Sequence, residues 1–338
     1  MPTPKQSASA HSPLARWISS FAAPRDGRVS SSESEFDIAP TLCDLIALRA
    51  ESRALGLGLG SRVATSQAGS YVSAYKGRGI DFEETRLYQA GDDFRTVDWR
   101  VTARTGEPHS KIFREERERP VLFLVDQSAS MLFGTRGRFK SVTAARAAAL
   151  LAWAAVDNGD RVGGIIHADH RQLELQATGR KTGVVQLLKC MTVINDATNV
   201  EQPTYPANVA LTRLGRLARP GTVVFLISDF RDWDEQAARI LRQISSRCDL
   251  VAIVVHDTIE ASAPLPNLYA VSNGLEFAGF DTRNQKIVRN YEKNFTARTD
   301  SIARLCRSSN ARFLTLNGIE AIAPALRKGL HHGGEHRG

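Results

Sequence analysis

The sequence predicts an α/β fold: a mostly parallel, Rossmann-type sheet with helices on both faces, one antiparallel edge strand, and a loop-rich N-terminal segment. Three observations predict it. The runs Val121–Val125 and Thr222–Ser228 are apolar without alternation, as strands buried on both faces are. From Val121 onward, strand-like and helix-like segments alternate, the pattern of layered α/β domains. Finally, Val162–Ile166 and Leu173–Leu175 flank the polar turn Ala168-Asp-His-Arg171, which reads as a hairpin whose second arm is an antiparallel edge strand.

In chain order, residues 1–35 are rich in Ser, Pro, Ala and Arg, and their one apolar patch, Leu14 to Phe21, is too short to build a core. They are expected to be a disordered extension, and they lack the apolar run and cleavage pattern of a secretory signal. Residues 36–118 form a second region. Ile38–Leu55 has helical apolar spacing and is interrupted by Gly56-Leu-Gly-Leu-Gly60. That glycine run follows a helix rather than a strand and lacks a Gly-Lys-Ser/Thr ending, so it reads as a connector and not a phosphate cradle. Gly69–Arg119 is polar and reads as loops and short strands, with Trp99 anchoring it by burial and Asp92, Asp93 and Asp98 neutralised among Arg86, Arg95, Arg100 and Arg104.

The main domain is expected at 119–328. After the strand at Val121, helix Lys140–Val156 leads to strand Arg161–His167, strand Gln172–Gln176 and a helix through Gly183 to Val193. Then follow helix Asn208–Ala218, strand Thr222–Ser228, helix Asp234–Ser246 and strand Leu250–Val255. A short strand pair near Tyr269 to Phe280, helix Ile287–Arg307, strand Arg312–Leu316 and a last helix from Ile319 complete it. The glycine- and histidine-rich residues 329–338 are expected to be a disordered tail.

Composition narrows the function. With 42% hydrophobic and 24% charged residues in 338, the chain can bury a substantial core. No apolar stretch reaches the roughly 18 residues of a membrane span, so a soluble, cytoplasmic protein is expected. Cys43, Cys190, Cys248 and Cys306 are too scattered for a zinc knuckle or a disulfide framework. The +8 net charge suits nucleic acid, anionic lipid or an acidic partner, but aromatics are only 7% and do not interleave with the basic clusters, which argues against base stacking.

The chemistry concentrates after the first buried strand. Asp126, Ser128 and Ser130 alternate in phase, so at extended spacing a carboxylate and two hydroxyls converge as hard oxygen ligands of the kind magnesium takes, with manganese or calcium as alternatives. Asp229 follows the second buried strand in the same way, and ligands of open parallel sheets sit beyond such strand ends. Thr204, in the loop Glu201-Gln-Pro-Thr-Tyr-Pro206, offers a further hydroxyl.

This set resembles the metal-ion-dependent adhesion site of von Willebrand factor A domains. Upstream, the segment from Gly77 to Arg104, including Arg86-Leu-Tyr-Gln-Ala-Gly-Asp-Asp-Phe-Arg-Thr-Val-Asp-Trp-Arg100, resembles the signature of a bacterial branch of such domains, the domain of unknown function 58 family. The resemblance implies a von Willebrand factor A-like fold and an adaptor or chaperone-like assembly role beside a MoxR-type ATPase. Two departures stand out: Tyr205 follows Thr204 where relatives often carry an aspartate, and the paired membrane spans of many relatives are missing.

The expected function is therefore non-enzymatic, metal-dependent protein binding, with an acidic side chain of a client or partner entering the open position of the ion. Two alternatives remain. A magnesium-dependent phosphatase using Asp126 as nucleophile normally wants a second aspartate two residues on, where Ser128 stands. A basic protein that binds nucleic acid or a membrane surface would rest on charge alone. A serine hydrolase lacks both a Gly-x-Ser-x-Gly elbow and a placed histidine.

Overall fold

A strand made only of apolar residues can exist in water only if both of its faces are covered, and that requirement organises this chain. The computed structural model describes residues 36–54, 80–89, 94–115, 118–194, 205–231, 233–272 and 277–332. In chain order these form α1 (Leu42–Ala54), β1 (Ile80–Leu87), α2 (Trp99–Thr105), β2 (His109–Glu115), β3 (Pro120–Asp126), α3 (Lys140–Asp157), β4 (Arg161–Ala168), β5 (Arg171–Thr178) and α4 (Arg180–Val193). They continue with α5 (Ala207–Leu217), β6 (Val223–Ser228), α6 (Glu235–Ser245), β7 (Asp249–His256), α7 (Thr258–Ala261), β8 (Leu268–Ser272), β9 (Phe277–Asp281), α8 (Gln285–Ser308), β10 (Arg312–Asn317) and α9 (Ile322–His332).

The fold is mixed α/β around a six-stranded sheet ordered β10-β7-β6-β3-β4-β5, parallel throughout except for β5, which pairs antiparallel with β4 at one edge. Side chains alternate across it. Val121, Phe123 and Val125 of β3 join Val223, Phe225 and Ile227 of β6 in one core with α1, α3, α4 and α9. Leu122, Leu124, Val224 and Leu226 point the other way, into a second core with α5, α6 and α8. Phe123 and Phe225, paired across the two strands, stack with centroids 5.2 Å apart.

Helix α3 is buried on nearly every side, as its alanine-rich sequence allows: small side chains let the sheet, α1, α4 and α9 approach it together. Trp153 on α3 donates its indole N–H to the Leu45 carbonyl of α1 at 3.1 Å. A separate antiparallel pair, β1 with β2, brackets α2, and β8 pairs with β9.

Most expected boundaries move by one to three residues, and three expectations need larger correction. The first helix begins at Leu42 rather than Ile38, with Thr41 exchanging hydrogen bonds with Asp44 at its start. Trp99 is not a buried anchor: it is 60% exposed and packs edge-on against Phe94, itself 65% exposed. The last helix starts at Ile322 and runs to His332, so the first residues of the expected tail are helical; Leu326 buries its apolar side in the α3 core. Cys43 is exposed, whereas Cys248 and Cys306 are buried, and all four cysteines are free thiols. The expected extension 1–35, the glycine run at 56–60, and Asp92 and Asp93 lie outside the described residues. Asp98 caps α2, accepting the Arg100 and Val101 amides. No helix among the described residues is long and apolar enough to cross a membrane.

Candidate metal centre

The chain runs from β3 to β4 on one side of the sheet and later returns as β6 on the other side of β3. Strand order reverses there, and open α/β sheets leave their ligand crevice at such a point, beyond the carboxyl ends of the strands. Four of the five parallel strands carry an aspartate at that edge: Asp126 ends β3, and Asp169, Asp229 and Asp257 directly follow β4, β6 and β7.

Their partners separate their roles. Asp257 is committed to structure: it caps α7 in a reciprocal box with Glu260 and accepts the Thr135 amide and hydroxyl at 2.8 and 2.6 Å. Asp169 clasps the loop after β3 by accepting the Ala129 amide at 2.6 Å.

Asp126 and Asp229 remain, and the β3–β6 register brings them together. Ser228, beside Asp126 on the neighbouring strand, donates its hydroxyl to Asp126 Oδ2 at 2.6 Å, and the Ser128 amide donates to Oδ1 at 3.0 Å. The extended spacing expected for Ser128 and Ser130 is not kept. Ser128 is extended, but Ala129–Met131 form a single 3-10 turn that brings the two hydroxyl oxygens to 3.3 Å. The Ser130 side chain is also near enough to Asp229 to favour its charged form. Asp126, Ser128, Ser130 and Asp229 thus lie at one edge of the sheet, beyond the ends of β3 and β6, whereas Thr204 lies outside the described residues. Tyr205 is held by its amide on the Asp169 carbonyl at 2.6 Å.

The electrostatics differ between the two acids. Burial raises the Asp126 carboxyl above its ordinary value; the Ser228 and Ser128 hydrogen bonds oppose this, and the negative Asp229 adds to it. Burial would raise Asp229 as well, but the Lys140 ammonium, at 2.8 Å from Oδ2, holds it low together with Ser130 and the Arg231 amide. Burial lowers His167, near the end of β4, from the ordinary imidazole value against the pull of Asp126 and Asp169. The backbone leaves the site under strain, for Phe230, directly after Asp229, has φ +51°.

These residues fit a divalent cation. Asp126 has only hydroxyl and amide donors and no ion-pair partner among the described residues, the Ser128 and Ser130 hydroxyls lie 3.3 Å apart in the loop that follows it, and Asp229 is near enough to act on it electrostatically. Hard, mostly uncharged oxygen donors suit magnesium, which keeps several waters and one or two carboxylates. Among the described residues there is no cluster of three or more His, Cys, Asp or Glu that could hold a metal ion.

Four residues escaped the sequence reading: Asp169, Lys140, Glu260 and Arg231. Asp169 repeats the strand-terminal acid pattern but was assigned to a hairpin turn. Lys140 had its own signal, since a cation at the first residue of a helix opposes the macrodipole and needs an acidic partner.

A family model described as "Protein of unknown function DUF58" matches residues 84–301. Uncharacterized proteins of Mycobacterium bovis and Mycobacterium tuberculosis are each 33% identical over 227 residues, 64% of this chain and 68% of theirs. Among solved structures, BatB from Bacteroides thetaiotaomicron is similar at 16% identity and a TM-score of 0.40, covering 64% of this chain and 98% of that one. An aerotolerance-related membrane protein from Bacteroides fragilis is similar at 17% identity and a TM-score of 0.40, covering 63% and 99%. With the family model spanning more than half of its length, the chain belongs to the DUF58 family.

Proposed function

We propose that this protein is a metal-dependent adaptor of von Willebrand factor A type, in which Asp126, Ser128, Ser130 and Asp229, with Thr204 as a fifth ligand, hold magnesium and leave a coordination position for an acidic side chain of a partner. One observation carries the reading: two carboxylates and two hydroxyls lie at the strand-order reversal, and one of those carboxylates, Asp126, has no cation partner among the described residues. The bound ion would supply a Lewis-acid position able to bridge two carboxylates. The chain supplies the rest, since Ser228 and the Ser128 amide fix both Asp126 oxygens and the 3-10 turn presents the hydroxyls. Magnesium is the first choice, with manganese or calcium as alternatives. Because the Gly77–Arg104 segment resembles the MoxR-associated branch, the ATPase and its client are the proposed partners, in the cytoplasm.

The test is partner capture. Full-length protein with magnesium should retain a MoxR-type ATPase or client, and both Asp126→Ala and chelation should abolish retention. Retention unchanged by either treatment sinks the reading, and turnover of a phosphate ester abolished by Asp126→Ala would replace it with the phosphatase alternative.

A further inference from the structure

Among the described residues Lys140 is the fully buried cation that touches this centre, while the half-exposed Arg231 guanidinium lies 3.9 Å from the same Asp229 oxygen. Lys140 is 1% exposed, and its ammonium lies 2.8 Å from Asp229 Oδ2 and 3.0 Å from Glu260 Oε1, with the Phe133 ring beneath it at 5.8 Å. Its position serves the helix poorly. It is the first residue of α3, where a cation opposes the dipole, and the turn holds no acid to offset it. Burying an ammonium is costly unless it is fully paired. The explanation for Lys140 therefore lies in what it touches.

Glu260 is built to stay where it is without Lys140. Its Oε2 accepts the Asp257 amide at 3.0 Å within the α7 capping box, and Arg231 Nη2 sits 2.8 Å from its Oε1. Asp229 is the opposite case: the oxygen facing Lys140 belongs to a carboxylate at the end of β6, beside the Asp126 strand end and near the Ser130 side chain, among the proposed ligands. The ammonium thus bridges a fixed acid and an acid of the centre.

We infer that Lys140 is a tethered cation that competes with the metal for Asp229, and that Glu260 is the anchor that keeps its ammonium paired when Asp229 turns to the ion. Lys140 is a positioning residue and no ligand. This inference rests on the metal reading above and adds to it a cause for the strength of binding. A positive charge already on Asp229 lowers the affinity of the centre for a second cation, so the site fills and empties at moderate metal concentration instead of holding the ion permanently. Glu260 makes the exchange possible, because without it the ammonium would have to stay on Asp229 or be left buried and unpaired.

The experiment is magnesium titration calorimetry on the full chain, repeated with manganese. Lys140→Met should bind magnesium more tightly, by about tenfold or more, because Asp229 is released and two charges no longer repel. Glu260→Gln, which keeps an acceptor for the Asp257 amide, should bind about threefold or more weakly, because the ammonium then rests on Asp229 alone. The opposite signs separate competition from damage, since a merely structural role for Lys140 would weaken binding in both variants. Wild type that binds while Lys140→Met binds equally or more weakly overturns the inference and leaves the metal reading standing. If Lys140→Met fails to fold, unchanged or tighter binding by Glu260→Gln overturns the inference alone. Binding by Lys140→Met where wild type shows none supports the competition and contradicts a metal-loaded native state. Absence of binding in all three proteins sinks both.

Discussion

Asp126 illustrates how a single residue is poised by its neighbours. It is buried with no cation partner among the described residues, and each of its oxygens accepts one hydrogen bond, from the Ser228 hydroxyl and the Ser128 amide, which offsets part of the cost of burial and leaves lone pairs for an ion. Ser228→Ala removes the 2.6 Å donor and should cost about 1.5–3 kcal/mol in urea unfolding; a loss below about 0.5 kcal/mol would show that the hydroxyl does not hold the carboxylate. His256 sets a pH dependence. Burial lowers its pKa from the ordinary 6.5 although Glu260, Glu320 and Asp257 pull it up, and its Nδ1 has no hydrogen-bond partner among the described residues. The unfolded chain therefore binds the proton first as pH falls, so stability is full above pH 6.5 and is lost as pH drops from there through the folded value. Denaturant midpoints should fall between pH 7.5 and 5.5, and His256→Phe, whose ring can keep the packing against Phe295, should flatten that slope. An unchanged slope would assign the effect to other groups, His167 first among them.

Among the elements, the pairing of β3 with β4 depends on a close approach at glycine. Gly164 has φ +145°, and a Cβ there would collide with the Phe123 carbonyl oxygen. Gly164→Ala should destabilise by about 3 kcal/mol or more through strain and lost strand pairing, seen as a lower thermal midpoint; full stability would mean that the sheet can part there at no cost. Trp153→Ala should cost about 3–5 kcal/mol by opening a cavity between α3 and α1 and leaving the Leu45 carbonyl without its indole donor. These elements also show what the sequence made legible. The continuous apolar runs of β3, β6 and β7 and the alanine-rich α3 were readable because burial keeps polar residues to the ends of these segments, Arg146 in α3 apart. Convergence of Asp126 with Asp229 was readable from strand-end chemistry. The 3-10 turn at Ala129–Met131 was not, because it depends on Asp169 clasping the Ala129 amide across 40 residues. Lys140 with Glu260 was equally hidden, for the two are 120 positions apart and meet only once β7 lies in the sheet. Trp99 misled because size and hydrophobicity favour burial, yet the short helix between β1 and β2 leaves it beside Phe94 on the surface.

At the scale of the whole molecule, the sheet converts local chemistry into one functional edge. Parallel strands gather their carboxyl ends on one side, so residues from four separated segments, near 126, 169, 229 and 257, share a single rim. Ion binding to the folded state alone should stabilise the entire domain. At a free magnesium concentration about 100 times the dissociation constant the gain is about 2.7 kcal/mol, visible as a raised thermal midpoint that Asp126→Asn abolishes. A midpoint that does not respond to magnesium in the wild type would mean that the rim does not take the ion. The most direct measurement is anomalous diffraction from crystals of the full chain soaked in manganese. The account predicts one strong peak within about 2–2.5 Å of an Asp126 oxygen and the Ser128 and Ser130 hydroxyls, at the end of β3 facing Asp229. No peak at that position, or manganese bound only elsewhere, would contradict it.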